Sequence, residues 1–273
     1  MECEVNCEPK VVISVEGLSY RYNSVSALDG LTFEVRRGEF VGLVGPNGSG
    51  KTTLLKCLSR VLTPHGGVIM LEGREMRKMS PLDVARVCAF VPSEFPANVS
   101  LPVVDVVLLG RHPHVSGVWW EDERDEEVAV KAMERMKVSR FANRKLEELS
   151  SGEKQRVMLA RALAQEARIL LVDEPVAYLD IGFQLEIMEM LRKLADEGVT
   201  IIAAMHQLSL AARYCDKLVV LKKGRIVACG SPEEVISEEL IEDVYGVRAF
   251  VQKVPGVGLV VIPVATVDRG EDG

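Results

Sequence analysis

The run Gly45-Pro46-Asn47-Gly48-Ser49-Gly50-Lys51-Thr52 constrains this chain more than any other stretch. It follows the apolar run Phe40-Val41-Gly42-Leu43-Val44, which predicts a buried strand, and precedes Thr53-Leu54-Leu55-Lys56-Cys57-Leu58, which predicts the first turns of a helix. Strand, loop and helix in that order are the context in which two glycines followed by Lys-Thr form a phosphate-binding loop. The glycines let backbone N–H groups turn inward, and the helix N-terminus adds the positive end of its dipole. Lys51 then reaches the β- and γ-phosphates, and the Thr52 hydroxyl ligates Mg²⁺. The residues from Gly45 to Thr53 therefore predict a nucleoside triphosphate site.

At 273 residues, with 48% apolar and 27% charged side chains, the chain has room for one α/β domain with an insert or for two small domains. A net charge of −7 argues against a nucleic-acid partner, since no basic excess exists to replace phosphate counterions. The longest stretch without Asp, Glu, Lys or Arg covers residues 198–212 and contains His206, too short and too polar to cross a bilayer. Glu2, Glu4 and Glu8 stand where a signal peptide needs a basic and then apolar start, so a soluble, cytoplasmic chain is expected. Of six cysteines only Cys3 and Cys7 lie close together; Cys57, Cys88, Cys215 and Cys229 are scattered, which predicts reduced thiols and no zinc site.

Short runs at 11–15 and 31–35 predict strands of an antiparallel layer, with Asp29-Gly30 as the turn between them. A helix is expected to start near Ser80-Pro81. Residues 106–110 and 121–136 read as helices, the second with Val128, Ala132 and Met136 four apart. Strands and helices then alternate: strands at 169–172, 199–204 and 217–221, helices at 184–195 and 208–214, and a Lys222-Lys223-Gly224-Arg225 turn leading into 226–229. The tail at 254–267 is apolar but interrupted by Pro255, Gly256, Gly258 and Pro263, which predicts short strands packed on the body, with 268–273 frayed. The expected fold is α/β: a phosphate-loop core with a mainly parallel sheet (11–92 and 153–240), an antiparallel β layer, a helical insert at about 93–152 and a tail from 241.

Ile169-Leu170-Leu171-Val172 would bury a strand whose carboxyl end presents Asp173 and Glu174 beside the phosphate loop. Asp173 is then placed to hold Mg²⁺, and Glu174 to act as general base on an attacking water. Leu149-Ser150-Ser151-Gly152-Glu153 opens a further helix, and Ser150 with Glu153 fits a capping box.

The order of these elements, followed by Tyr178-Leu179-Asp180 and by His206 after a strand, resembles the ATP-binding cassette ATPases over about residues 11–261. The resemblance implies that Ser150, Ser151, Gly152 and Glu153 are a signature that closes on the ATP of a second copy. A serine hydroxyl, a glycine N–H and a helix N-terminus suit a γ-phosphate. It also implies that Tyr22, or else Tyr20, stacks on adenine, that His206 contacts the γ-phosphate, and that Asp180 links the two sites of a homodimer. Leu171-Val172-Asp173-Glu174-Pro175, Leu179-Asp180-Ile181-Gly182, Met205-His206-Gln207-Leu208 and Ala211-Ala212-Arg213-Tyr214-Cys215-Asp216 are similar to ATPases of iron-siderophore, haem and cobalamin importers. So are Leu109-Gly110-Arg111-His112-Pro113-His114 and Val244-Tyr245-Gly246-Val247. Related importers carry molybdate or tungstate, and other cassette proteins serve exporters or act as regulatory or binding-only subunits.

Such a subunit would use ATP and Mg²⁺ at the cytoplasmic face of the membrane. Its partners would be itself, integral-membrane permease subunits and, indirectly, a substrate-binding protein. Two positions depart from the family pattern. Ser93 stands where a Mg²⁺-touching glutamine is usual, with Glu94 as a possible substitute, and Ser151 stands at the first signature glycine. If that glycine position requires φ > 0, Ser151 is costly there.

Overall fold

The computed structural model describes residues 10–93, 100–115 and 123–267. Cys3, Cys7, Glu94 and the frayed end expected at 268–273 lie outside them. Strands β1 (Val11–Tyr22) and β2 (Val25–Arg36) form a hairpin that leads into β3 (Phe40–Val44), the strand ahead of the phosphate loop. Helix α1 (Lys51–Leu58) follows, then β4 (Gly66–Leu71), β5 (Arg74–Glu75), α2 (Pro81–Val87) and β6 (Cys88–Val91). Helices α3 (Val103–Leu108), α4 (Glu123–Arg135) and α5 (Ser151–Ala164) come next. The chain alternates again through β7 (Ile169–Asp173), α6 (Ile181–Asp196), β8 (Thr200–Ala204), α7 (Leu208–Tyr214), β9 (Lys217–Lys222) and β10 (Arg225–Gly230). Helices α8 (Pro232–Val235) and α9 (Glu238–Tyr245) and the hairpin of β11 (Val247–Val254) and β12 (Gly258–Thr266) complete it.

Every residue of β3, β7 and β8 is buried, which is why these strands read as unbroken apolar runs rather than alternating ones. They lie in a six-stranded sheet of order β10-β9-β3-β8-β7-β6, parallel except for β10 at one edge. Alternate side chains face two cores. Val41, Leu43, Leu171 and Ile202 pack with α1 beneath the antiparallel layer β2-β1-β4-β5. Phe40, Val44, Leu170 and Ile201 pack against the helical side, where α3, α4 and α5 meet. Leu54, Leu55, Cys57 and Leu58 of α1 are fully buried, and each large apolar side chain taken out of water contributes about 1.5–3 kcal/mol. Burial pushes the Cys57 and Cys88 thiols up to about 12, so both behave as small apolar groups.

The α/β class, the parallel sheet and the antiparallel layer agree with the sequence. Four local expectations change. The β1–β2 hairpin turns at Asn23-Ser24, and Asp29-Gly30 lies inside β2. There Gly30 takes φ 67 at a register shift, so the turn-like dipeptide serves as a bulge. Helix α6 begins at Ile181, because Asp180 caps it by accepting the Phe183 N–H at 2.9 Å. In α4 the buried stripe runs through Asp125, Ala129, Ala132 and Met133, with Val128 half-buried. The tail is one hairpin: β12 passes through Pro263, which a two-stranded edge tolerates.

The segment Leu109–His114 is a 3-10 turn fastened to the end of α5. Arg111, 4% exposed, donates from Nη1 to the Ala164 carbonyl and to Glu166 Oε2, both at 2.7 Å, and from Nε to Asp125 Oδ1 at 2.7 Å. A Cβ on neighbouring Gly110 would fall 2.1 Å from the Arg161 carbonyl oxygen, so only glycine lets the turn approach. Asp125 is 9% exposed and would lose its charge partner in Arg111→Ala. That variant is expected to lose about 3–5 kcal/mol of unfolding free energy in chemical denaturation, where an exposed pair would cost under about 1.

Candidate functional site

Strands β3, β8, β7 and β6 are consecutive in the parallel part of the sheet, and their carboxyl ends share one edge. Asp173 ends β7, and the segments that follow these strands carry Lys51, His206, Glu174 and Ser93, so sheet order gathers residues far apart in sequence. The resulting cleft holds about 310 Å³ and is lined by Asn47 to Thr53, by Glu174 and His206, and by Tyr22, Val25, Ser26 and Ala27 of the antiparallel layer.

The phosphate loop owes its path to glycine. Gly45, Gly48 and Gly50 have φ of 147°, 74° and 108°. A Cβ on Gly45 would lie 2.1 Å from the Leu221 carbonyl oxygen, and one on Gly50 would lie 2.6 Å from that of Ala27. Gly50 is also the N-cap of α1 and offers no side chain, so the first N–H groups of α1 have no capping acceptor. Ser49 Oγ is buried and makes no hydrogen bond within the protein, an orphaned donor that costs about 1–3 kcal/mol unless a ligand accepts from it. A glycine cradle, uncapped N–H groups and a buried hydroxyl together fit an anion with several oxygens. Lys51 Nζ donates to the carbonyls of Gly45 at 2.8 Å and Pro46 at 3.1 Å, which ties its side chain back onto the start of the loop. Burial lowers the Lys51 pKa, and the charges of Glu174 and Asp173 oppose that shift.

Asp173 is the hub of the acidic side. Thr52 Oγ1 donates to its Oδ1 at 3.1 Å and Ser93 Oγ to its Oδ2 at 3.3 Å. Burial raises the Asp173 pKa above the usual carboxylate range, with the Thr52 hydrogen bond opposing and the Glu174 charge adding to it. An all-oxygen set of one carboxylate and two hydroxyls fits a hard divalent cation such as Mg²⁺. Glu174 takes φ 51°, an uncommon value for a residue with a side chain, and its N–H donates to the Ala204 carbonyl at 3.1 Å. This turn brings Glu174 Oε1 within 2.7 Å of His206 Nε2, and the pair stands at the cleft. A carboxylate held by an imidazole N–H beside a phosphate cradle can accept a proton from a bound water.

Tyr22 is 44% exposed on the cleft wall, whereas Tyr20 is half-buried, meets Tyr22 edge-on and His65 at a tilt, and does not line the cleft. Ser150, Ser151, Gly152 and Glu153 do not line it either. They open α5, with Ser150 and Glu153 forming a reciprocal capping box. Ser151 has an ordinary helical φ, so no left-handed conformation penalises it. Gly152 is the constrained position, since a Cβ there would meet the Phe183 ring at 2.8 Å. Asp180 is exposed at the N-cap of α6, between Tyr178 at 96% and Ile181 at 76% exposure. Sequence reasoning missed Val25, Ser26 and Ala27 as cleft residues, because they lie between the two strands expected at 11–15 and 31–35, where no element was read.

A sequence profile of the ABC transporter family matches residues 28–177. An uncharacterised ABC transporter ATP-binding protein of Methanocaldococcus jannaschii is 41% identical over 92% of this chain and 98% of its own. The cobalamin import ATP-binding protein BtuD of Halobacterium salinarum is 40% identical over 92% of this chain, which spans 63% of that longer protein. The ferric enterobactin transport ATP-binding protein FepC of Escherichia coli is 36% identical over 89% of this chain and 90% of its own. Among solved structures, an inward-facing conformation of a metal-chelate type ABC transporter superposes with a TM-score of 0.82 at 26% identity, over 93% of this chain and 97% of that one. The chain belongs to the ABC transporter family, as one of its ATP-binding ATPase cassettes.

Proposed function

We propose that this chain is the ATP-hydrolysing subunit that energises an importer of metal chelates, of the iron-siderophore, haem or cobalamin type. The observation that carries the catalytic part is the 2.7 Å contact between Glu174 and His206 at the cleft that holds Lys51 and Thr52. The importer class is supported by the relatives named for cobalamin and ferric enterobactin and by the metal-chelate transporter structure.

Tyr22 offers its exposed ring to adenine, and the N–H groups from Asn47 to Thr53 hold the phosphates with Lys51. Thr52 and Asp173 would hold Mg²⁺, with Ser93 bonded to the same carboxylate. Mg²⁺, when bound, neutralises charge on the β- and γ-phosphate oxygens. Glu174 orients a water and takes its proton, and the His206 N–H fixes the carboxylate for that transfer. The signature residues Ser150 to Glu153 stand apart from the cleft at the start of α5, Ser150 and Ser151 being exposed, which supports closure onto the ATP of a second copy. Asp180, between exposed Tyr178 and Ile181, then links the two sites. No helix among the described residues is long and apolar enough to cross a membrane, so separate permease subunits would form the path. The helical insert would dock on them at the cytoplasmic face, and a substrate-binding protein would select the cargo.

Two variants test this reading. Glu174→Gln is expected to bind Mg-ATP as the parent does while steady-state hydrolysis falls by about 10²–10⁴-fold. Hydrolysis at the parent rate would remove Glu174 from its role. Asp173→Asn keeps an acceptor for Thr52 but carries no charge. Because the folded-state pKa of Asp173 is raised, its ionisation weakens the fold, a cost absent at low pH and complete once pH exceeds the folded value. Asp173→Asn is therefore expected to melt above the parent at neutral pH, with the gap closing as pH approaches about 4, while Mg²⁺-dependent turnover is lost. Mg²⁺-dependent turnover at the parent rate would contradict the assignment.

A further inference from the structure

We propose that the turn joining β9 and β10 is a backbone clamp on the phosphate loop, with Gly224 as its positioning residue. This rests on the reading that the loop holds nucleotide phosphates. The Gly224 N–H donates to the Ser49 carbonyl at 3.0 Å, and the Gly224 carbonyl accepts the Asp29 N–H at 2.8 Å. One residue thus ties the phosphate loop to β2.

The approach is too close for side chains. A Cβ on Gly224 would fall 2.7 Å from the Ala27 carbonyl oxygen, the same atom that a Cβ on Gly50 would meet at 2.6 Å. Loop, turn and β2 therefore converge on one carbonyl, and the Leu221 carbonyl at the end of β9 excludes a side chain at Gly45 in the same way. Lys223 and Gly224 have φ of 48° and 77°, the two positive values that a tight two-residue hairpin turn requires. The Arg225–Asp29 ion pair across the contact is largely exposed and adds little by itself. The backbone bonds and the glycine contacts carry the clamp.

Its effect on binding follows from what it joins. Ser49 leads into the N–H groups at the start of α1, and Ala27 belongs to the cleft wall with Tyr22, Val25 and Ser26. The clamp holds the wall that would face the base at a fixed position relative to the loop that would face the phosphates. A displacement between the two surfaces costs binding of any nucleotide that must touch both, tenfold in affinity for each loss of about 1.4 kcal/mol.

Gly73 supplies the control. Its φ is 79°, almost that of Gly224, but a Cβ there meets nothing within 4 Å. Gly73→Ala and Gly224→Ala thus share the cost of the left-handed backbone and differ in the clamp contact. Gly73→Ala is expected to keep its KM for ATP within about twofold of the parent, whereas Gly224→Ala raises KM about tenfold or more, beyond any change in kcat. Equal KM values for the two variants would overturn the proposal.

Should Gly224→Ala not fold, amide hydrogen exchange on the parent protein gives the answer. Mg-ADP is expected to slow exchange at Gly224 and Asp29 together with the amides of residues 49–53, and adenosine is not. Slowing confined to the loop would overturn the clamp and leave the nucleotide reading intact. Slowing at none of these amides would overturn both.

Discussion

A main-chain path that leaves no room for Cβ atoms is the constraint on which this molecule is organised. At Gly45 and Gly50 the phosphate loop runs against carbonyl oxygens of β9 and β2, at separations no side chain can occupy. The loop is held at backbone level by the parallel sheet on one side and the antiparallel layer on the other. The first N–H groups of α1 stay uncapped, and the buried Ser49 hydroxyl stays without a partner in the protein. The arrangement leaves polar groups unsatisfied in the protein alone, and a bound polyanion would satisfy them. Stability is spent where binding would recover it.

The acidic side depends on a second constraint, the burial of Asp173. One carboxylate gathers Thr52 from the helix after β3 and Ser93 from the segment after β6, so two strand ends are held at one oxygen cluster. A serine in place of the family's usual glutamine still reaches this cluster, through the carboxylate itself. Ser151 is equally compatible with its place: the first residue of α5 is helical, where serine loses less than glycine. The constrained residue is Gly152, because a Cβ there would have to displace the Phe183 ring.

Much of the fold was legible because local rules and tertiary demands agree. Fully buried strands gave unbroken apolar runs at β3, β7 and β8, and a capping Ser at position 80 marked the start of α2. Other features were hidden because a local signal served a different purpose. Asp29-Gly30 is a stronger turn signal than Asn23-Ser24, yet the chain uses Gly30 to shift register within β2. Asp125 looks like one more acid on a charged helix, but Arg111 from another segment buries it. Gly224 announced a hairpin, and nothing local told of its contact with Ser49. The candidate site was readable as motifs; the sheet order that makes neighbours of Lys51, His206, Asp173 and Ser93 was not, because strand order is a property of the whole chain.

The central claim is that two copies close on ATP through the signature at the head of α5. Its most direct measurement is the mass in solution, by light scattering, of the Glu174→Gln protein with and without Mg-ATP. The account predicts a monomer without nucleotide and a dimer with it. A protein that binds Mg-ATP and stays monomeric at every concentration tested would contradict it.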